Sequence, residues 1–195
     1  MKRTLKTIIA GAAAALSLLA LLPAGASAAA TPPSPLPPGT AITAATLAAA
    51  GPAAVYHVRI RSLYGNGNQC LDADATAGGN GTKVQLWDCN GSTQQTWILY
   101  SSYNDFTNLR FGRCLDADLN GGGANGTKLQ LWDCNNTTQQ DWYQYSGDQA
   151  IYNGRFYNNR NTVLDRDITQ AGNGAKAQLW AKNFQSQQWW VIEIV

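Results

Sequence analysis

The chain has 195 residues, of which 13% are charged, and a formal net charge of +2. Three of its 14 basic side chains, Lys2, Arg3 and Lys6, lie in the first 28 residues, and the remaining 11 basic and 12 acidic groups leave −1. That balance argues against a nucleic-acid or anionic-membrane partner recognised by charge. A surface rich in Asn, Gln, Gly, Ser and Thr instead suits neutral hydrogen-bonding ligands.

Residues 1–28 read as a signal peptide. A basic start is followed by an apolar run from Ile8 to Leu22 and by Ala26-Ser27-Ala28, an A-x-A cleavage pattern. The run is too short and Ala-rich for a membrane span, so the expectation is a secreted protein with no span after cleavage. Residues 29–55 follow as a Pro/Ala/Thr-rich stretch, opening Thr31-Pro32-Pro33-Ser34-Pro35. Such composition favours an extended spacer, so this segment reads as a linker or pro-segment. About 140 residues remain, ample for one core.

Residues 56–195 carry three copies of one pattern, over about 56–100, 101–145 and 146–195. Each copy has a Leu-Asp pair, at Leu71-Asp72, Leu115-Asp116 and Leu164-Asp165. A Gln-Leu-Trp triplet follows at Gln85, Gln130 and Gln178, and a Gln-x-Trp triplet at Gln95, Gln140 and Gln188. The spacing between copies is 44 to 49 residues. A unit of that length is one supersecondary element that buries its apolar face against its copies.

The cysteines obey the same pattern. Cys70 and Cys89 belong to the first copy and Cys114 and Cys134 to the second, while the third has Val163 and Lys182 at those positions. Both members of a pair vanish together, so of three connectivities the comparison selects 70–89 with 114–134. An oxidising compartment agrees with export. Zinc is disfavoured by the spacing and by the position of the lone His57 outside the pattern, so no metal or cofactor is expected.

The copies read as strand units. Asn80-Gly81, Asn125-Gly126 and Asn173-Gly174 each stand five residues before the Gln-Leu-Trp glutamine, which predicts type I′ hairpin turns. After the turn, Val84, Leu86 and their copies alternate with Gln85 and Trp87. Parity therefore puts Leu71 and Leu86 toward the core. Asp72, Gln85 and Trp87 fall on the opposite face, as do Asp116, Gln130, Trp132 and Asp165, Gln178, Trp180. Trp97, Trp142 and Trp190 complete a threefold core. The Trp-Asp pairs at 87–88 and 132–133 superficially suggest a propeller, but three repeats are too few for one. The prediction is an all-β fold, a β-trefoil of three pseudo-symmetric repeats behind a signal peptide and linker.

These motifs resemble the ricin-type β-trefoil lectin family, whose repeats end in Gln-x-Trp. The resemblance spans residues 56–195 and implies a shallow sugar pocket in each repeat. It implies that Asp72 accepts bonds from sugar hydroxyls, Trp87 stacks on the sugar's apolar face, Gln85 and Gln94 add polar contacts and Gln95 holds Asp72. The corresponding sets are Asp116, Gln130, Trp132, Gln139 and Gln140, and Asp165, Gln178, Trp180, Gln187 and Gln188. The family often has Asn where this chain has Gln94, Gln139 and Gln187, which alters pocket geometry.

The chemistry fits independently, because a carboxylate accepts strong bonds and an indole offers a flat apolar face. The resulting expectation is a secreted, monomeric, non-enzymatic lectin module for oligo- or polysaccharide, either neutral polymer or galactose/xylose-type sugars, bound through up to three pockets. A trefoil with vestigial pockets that binds a protein is the alternative, and a small glycosidase is a third reading. Glu193 is the lone glutamate and has no obvious acidic partner for glycoside hydrolysis. The second acids Asp74, Asp118 and Asp167 read as turn-bonding groups.

Overall fold

A computed structural model describes residues 36–43, 45, 46, 49, 54–100 and 104–195. The expected signal peptide, and the linker outside 36–43, 45, 46, 49, 54 and 55, lie outside the described residues. Twelve strands fall into three sets of four: β1 (Val55–Ser62), β2 (Gln69–Ala73), β3 (Val84–Asp88) and β4 (Trp97–Tyr100); β5 (Phe106–Asn108), β6 (Cys114–Ala117), β7 (Thr127–Trp132) and β8 (Trp142–Tyr143); β9 (Tyr152–Asn153), β10 (Thr162–Arg166), β11 (Ala175–Ala181) and β12 (Trp190–Ile194). A four-residue helix, α1 (Tyr157–Arg160), interrupts the third set. Among the described residues no helix is long and apolar enough to cross a membrane.

In each set the middle strands pair antiparallel in one register. Leu71 faces Leu86, Leu115 faces Leu131 and Leu164 faces Leu179. These leucines are fully buried, as the alternation predicts, and Trp97, Trp142 and Trp190 pack with them in one core. Each of these indole N–H groups donates to the carbonyl of the leucine before the aspartate, at 3.1 Å for Leu71 and 3.0 Å for Leu115 and Leu164. A buried indole needs that partner, so the tryptophan fixes a backbone carbonyl as well as filling volume. The outer strands form the wall through β12–β1, β1–β4, β4–β5 and β8–β9, the first of which joins the two ends of the domain. Three repeats closed in this way are a β-trefoil, as the sequence predicts.

The Asn-Gly turns differ from the expectation. Positive φ occurs at Gly81 (88°), Gly126 (88°) and Gly174 (87°) but not at the preceding asparagines, so these are not type I′ turns. The reason is loop length: β2 and β3 are joined by residues 74–83, and Asn80-Gly81 only ends that loop. Positive φ at the second central residue alone is the type II requirement.

The asparagine side chains work across repeats instead. Asn80 Oδ1 accepts from Asp133 N (2.8 Å), Asn125 Oδ1 from Ala181 N (2.7 Å) and Asn173 Oδ1 from Asp88 N (2.7 Å). The glycine N–H groups donate at 2.8 Å to Leu131, Leu179 and Leu86. First repeat thus grips second, second grips third, and third grips first.

Both inferred disulfides form, Cys70–Cys89 and Cys114–Cys134. Closing loops of that length stabilises the fold by about 3 kcal/mol each in the chain-entropy model. Glu193 is buried between Arg59, 2.7 Å away, and Arg61, which also bonds it. Burial alone would raise its pKa, yet the two guanidiniums hold its carboxyl below the usual glutamate range.

Part of the stretch read as linker belongs to the fold. Gly39 N and Ile42 N donate to Ile194 O (2.8 Å) and Ile192 O (2.7 Å), and Ile194 N donates to Thr40 O (2.9 Å). Residues 39–42 thereby cover the β12 edge that β1 leaves open, and Ile42, only 4% exposed, joins the core. Ile42→Ala in the full chain should cost about 2–4 kcal/mol, the usual range for truncating a buried aliphatic. A urea titration reads this as a lowered midpoint, and an unchanged midpoint would mean the segment does not hold the barrel.

Candidate functional site

The paired registers that bury the leucines also place the polar groups. Asp72 stands directly opposite Gln85, Asp116 opposite Gln130 and Asp165 opposite Gln178. Beyond each hairpin a single 3-10 turn, Thr93–Gln95, Thr138–Gln140 or Ser186–Gln188, folds back over that face. Its last residue is the Gln-x-Trp glutamine, and the tryptophan two positions on is anchored in the core.

The result is one arrangement made three times. Asp72 Oδ1 accepts from Gln85 Nε2 (3.1 Å) and Oδ2 from Gln95 Nε2 (3.1 Å). In the second repeat the distances to Gln130 and Gln140 are 3.1 and 3.0 Å, and in the third those to Gln178 and Gln188 are both 3.0 Å. The Gln95 amide also donates to Asp88 O (3.0 Å) and accepts from Asn90 N (2.9 Å). Gln140 and Gln188 make the same bonds around Asp133 with Asn135 and around Ala181 with Asn183.

Each aspartate is 3% exposed. Burial pushes all three carboxyls above the usual aspartate pKa, while the glutamine amides oppose that shift. Each carboxylate is held in place with lone pairs still free, since an ionised carboxyl has about four acceptor positions.

The parity reading predicts a shared outer face, and depth divides that face. Gln85, Gln130 and Gln178 are 5–6% exposed and brace the aspartates instead of forming an open rim. Trp87, Trp132 and Trp180 are 37–39% exposed, so each presents a ring to solvent. The third set lies in a cleft of about 480 Å³ whose walls include Asp165, Gln178, Trp180 and Gln187.

The second glutamines diverge. Gln139 is buried, and its amide helps to oppose the upward shift of the Asp116 carboxyl. Gln94 is half-buried, with its Oε1 accepting from Arg110 Nη1 at 3.3 Å. The backbone oxygens of Gln94 and Gln139 are each held at 2.9 Å by an asparagine of the next repeat, Asn108 and Asn153. Sequence reasoning passed over these asparagines and Arg110, although both asparagines lie at one register position after the Gln-x-Trp strand.

Asp74 and Asp167 accept locally from Thr76 and Thr169, and Asp118 from Asn120, as turn-bonding acids do. Among the described residues one cluster has metal-ligand types, Asp105 with Cys114 and Cys134. Its two sulfurs are bonded to each other, so no thiolate is left there to ligate.

The chain matches the family model for the ricin-type beta-trefoil lectin domain over residues 56–190. A search of curated proteins found no match. Among solved structures, the β-trefoil lectin of the Vibrio vulnificus hemolysin/cytolysin, with N-acetyl-D-lactosamine bound, is 25% identical with a TM-score of 0.57 over 72% of this chain and 96% of its own. The C-half of the earthworm R-type lectin, in complex with GalNAc, is 20% identical with a TM-score of 0.55 over 72% and 99%. An exo-beta-1,3-galactanase from Clostridium thermocellum is 21% identical with a TM-score of 0.59, and the match spans 72% of this chain but 30% of that larger one. With three Gln-x-Trp repeats, three braced aspartates and a family match across most of its length, this chain belongs to the ricin-type β-trefoil lectin family.

Proposed function

We propose that the chain is a secreted, non-enzymatic lectin that binds polysaccharide, with galactose-type sugars favoured, through three pockets. The observation that carries this reading is a braced, acceptor-only carboxylate beside an exposed indole, repeated three times at matching distances. A pyranose has hydroxyls at its rim and C–H groups on a face. The aspartate accepts from adjacent hydroxyls, and the indole covers the apolar face. The bracing glutamines keep the carboxylate fixed, so little ordering remains to be done on binding.

The galactose preference draws on the sugars named for the Vibrio and earthworm lectins and on the galactanase. Secretion draws on the leader and the disulfides. A non-enzymatic role draws on the family and on the ion pairing of Glu193 with Arg59 and Arg61.

Shallow pockets of this kind bind weakly, at about millimolar Kd or −4 kcal/mol. Three on one rigid body gain about 10²- to 10⁴-fold in avidity on a polymer. In a glycan array and a polysaccharide pull-down with the full chain, Trp87→Ala, Trp132→Ala and Trp180→Ala together should abolish retention while each alone lowers it. A folded triple variant that still binds would remove the pocket assignment. Capture of a specific protein with no sugar binding would favour the protein-partner alternative.

Acidity supplies a second test. Because the three carboxyls have raised pKa values, affinity should fall on acidification with a midpoint above the ordinary 3.8. Protonation turns an acceptor into a partial donor and weakens its bonds. For stability the sign is opposite. The fold binds these protons more readily than the unfolded chain does, so their contribution is fully present below 3.8 and lost as pH rises through the raised values. Affinity and urea midpoint measured over one pH series should therefore show sugar release without unfolding caused by these groups. Binding that stays constant down to pH 3.8 would contradict the role given to the aspartates.

A further inference from the structure

The third repeat departs from its siblings most clearly where their disulfides stand. In place of the half-cystines at 89 and 134 it has Lys182, whose Nζ lies 2.5 Å from Asp148 Oδ2 and 2.5 Å from Tyr152 Oη. The ammonium also faces two rings, Tyr152 at 5.1 Å and Phe184 at 4.7 Å. Tyr152 in turn packs edge-on against Tyr157 at 4.8 Å and Tyr145 at 5.2 Å. Tyr157 comes from α1, which lies in the longer connection between β9 and β10. Tyr145, from the end of the second repeat, thus forms a strip of three rings with Tyr152 and Tyr157, and the Lys182 ammonium links that strip to Phe184.

Two residues beyond the half-cystine position, the chain turns through the left-handed region in every repeat. The residue there is Gly91 (φ 70°), Asn136 (55°) and Phe184 (60°). Glycine adopts this conformation freely and asparagine readily, whereas a bulky L side chain is strained there. Burial does not compensate, since Phe184 is 70% exposed, the most of any large apolar residue described. Tyr145 is 49% exposed. A strained backbone that holds an apolar ring out into solvent points to a contact outside the fold.

We propose that Phe184 extends the third sugar pocket, receiving the next residue of a polysaccharide whose first sugar lies against Trp180. Continuity supports this occupant: Asn183, the neighbour of Phe184 in the chain, lines the same cleft as Trp180 and Asp165. The chemistry supports it as well. Asp148 neutralises Lys182, so the exposed Phe184 ring stands beside no net charge, which suits an uncharged sugar chain. Gly91 and Asn136 supply no ring, so the first two pockets lack this extension. This inference rests on the lectin reading and adds a chain-length preference to one pocket.

The test isolates the third pocket in full-length protein carrying Trp87→Ala and Trp132→Ala, with galactose and a β-1,3-galactan hexasaccharide as probes in calorimetry. Phe184→Asn installs the residue that the second repeat tolerates. It should lower hexasaccharide affinity about fivefold, roughly what one stacking ring contributes, and leave galactose affinity and melting temperature unreduced. Phe184→Trp should retain hexasaccharide affinity. An unchanged ratio of hexasaccharide to galactose affinity in Phe184→Asn would overturn the extension while leaving the lectin reading intact. A fall in melting temperature with both affinities reduced would make Phe184 a structural tie and overturn the extension too. Failure of the parent to bind either probe, while still binding no other glycan, would end both proposals.

Discussion

The bond pair that holds each aspartate is the constraint on which the rest depends. One bracing amide comes from the facing strand, the other from the turn that carries the Gln-x-Trp glutamine. Two residues past that glutamine, the tryptophan fills the core and donates to the carbonyl just before the aspartate. Side chain and backbone of one Leu-Asp step are therefore held by one tripeptide. Core packing and pocket geometry cannot vary independently. A tryptophan displaced from the core shifts the turn, releases the glutamine, and leaves a buried carboxylate with one partner fewer, a costly state in a low-dielectric interior.

Threefold symmetry adds a second layer of coupling. Each Asn-Gly turn bonds the next repeat's strand beside its exposed tryptophan, and the lysines join the ring, with Lys83 Nζ on Gly174 O at 2.6 Å and Lys176 Nζ on Gly126 O at 2.6 Å. The three hairpins close a cycle with no free end. A single repeat lacks both its neighbour's turn and its neighbour's core surface, so the unit that carries one pocket has no basis for folding alone. The threefold repetition of the braced aspartate is thus a consequence of how the fold is stabilised.

What the sequence made legible was whatever is written locally or repeated. Alternation identified Leu71, Leu86 and their copies as core, because period two is a property of the strand itself. Absence of both half-cystines from the third copy paired the other four. Parity assigned faces correctly but carried no depth: Gln85 and Trp87 share a side, and only the turn folding over that side makes one a buried brace and the other an exposed platform. The Asn-Gly pairs announced a turn, yet their side chains bond residues 53 to 85 positions away, a distance no local pattern encodes. Residues 39–42 were hidden for a different reason. They add to the sheet through backbone groups, which any sequence possesses, and the surrounding prolines and alanines show no alternation.

The third repeat shows what that coupling permits. The third repeat has no disulfide to constrain the unfolded chain, and the partly buried ion pair at that place is a weaker tie. Without that staple the strand keeps the common register, since Val163 faces Trp180 and Asp165 faces Gln178. The braced aspartate and the turn-borne glutamine are therefore sufficient to hold the pocket without the staple. With no half-cystine geometry to meet, the position at 182 accepts a long side chain whose ammonium bonds Asp148 and Tyr152. The left-handed residue beyond it can then carry a ring where its siblings carry none. Divergence has settled where the symmetric framework asks least of the side chain, at a turn that needs only its backbone conformation, and there the choice of phenylalanine over glycine or asparagine works against the local conformation.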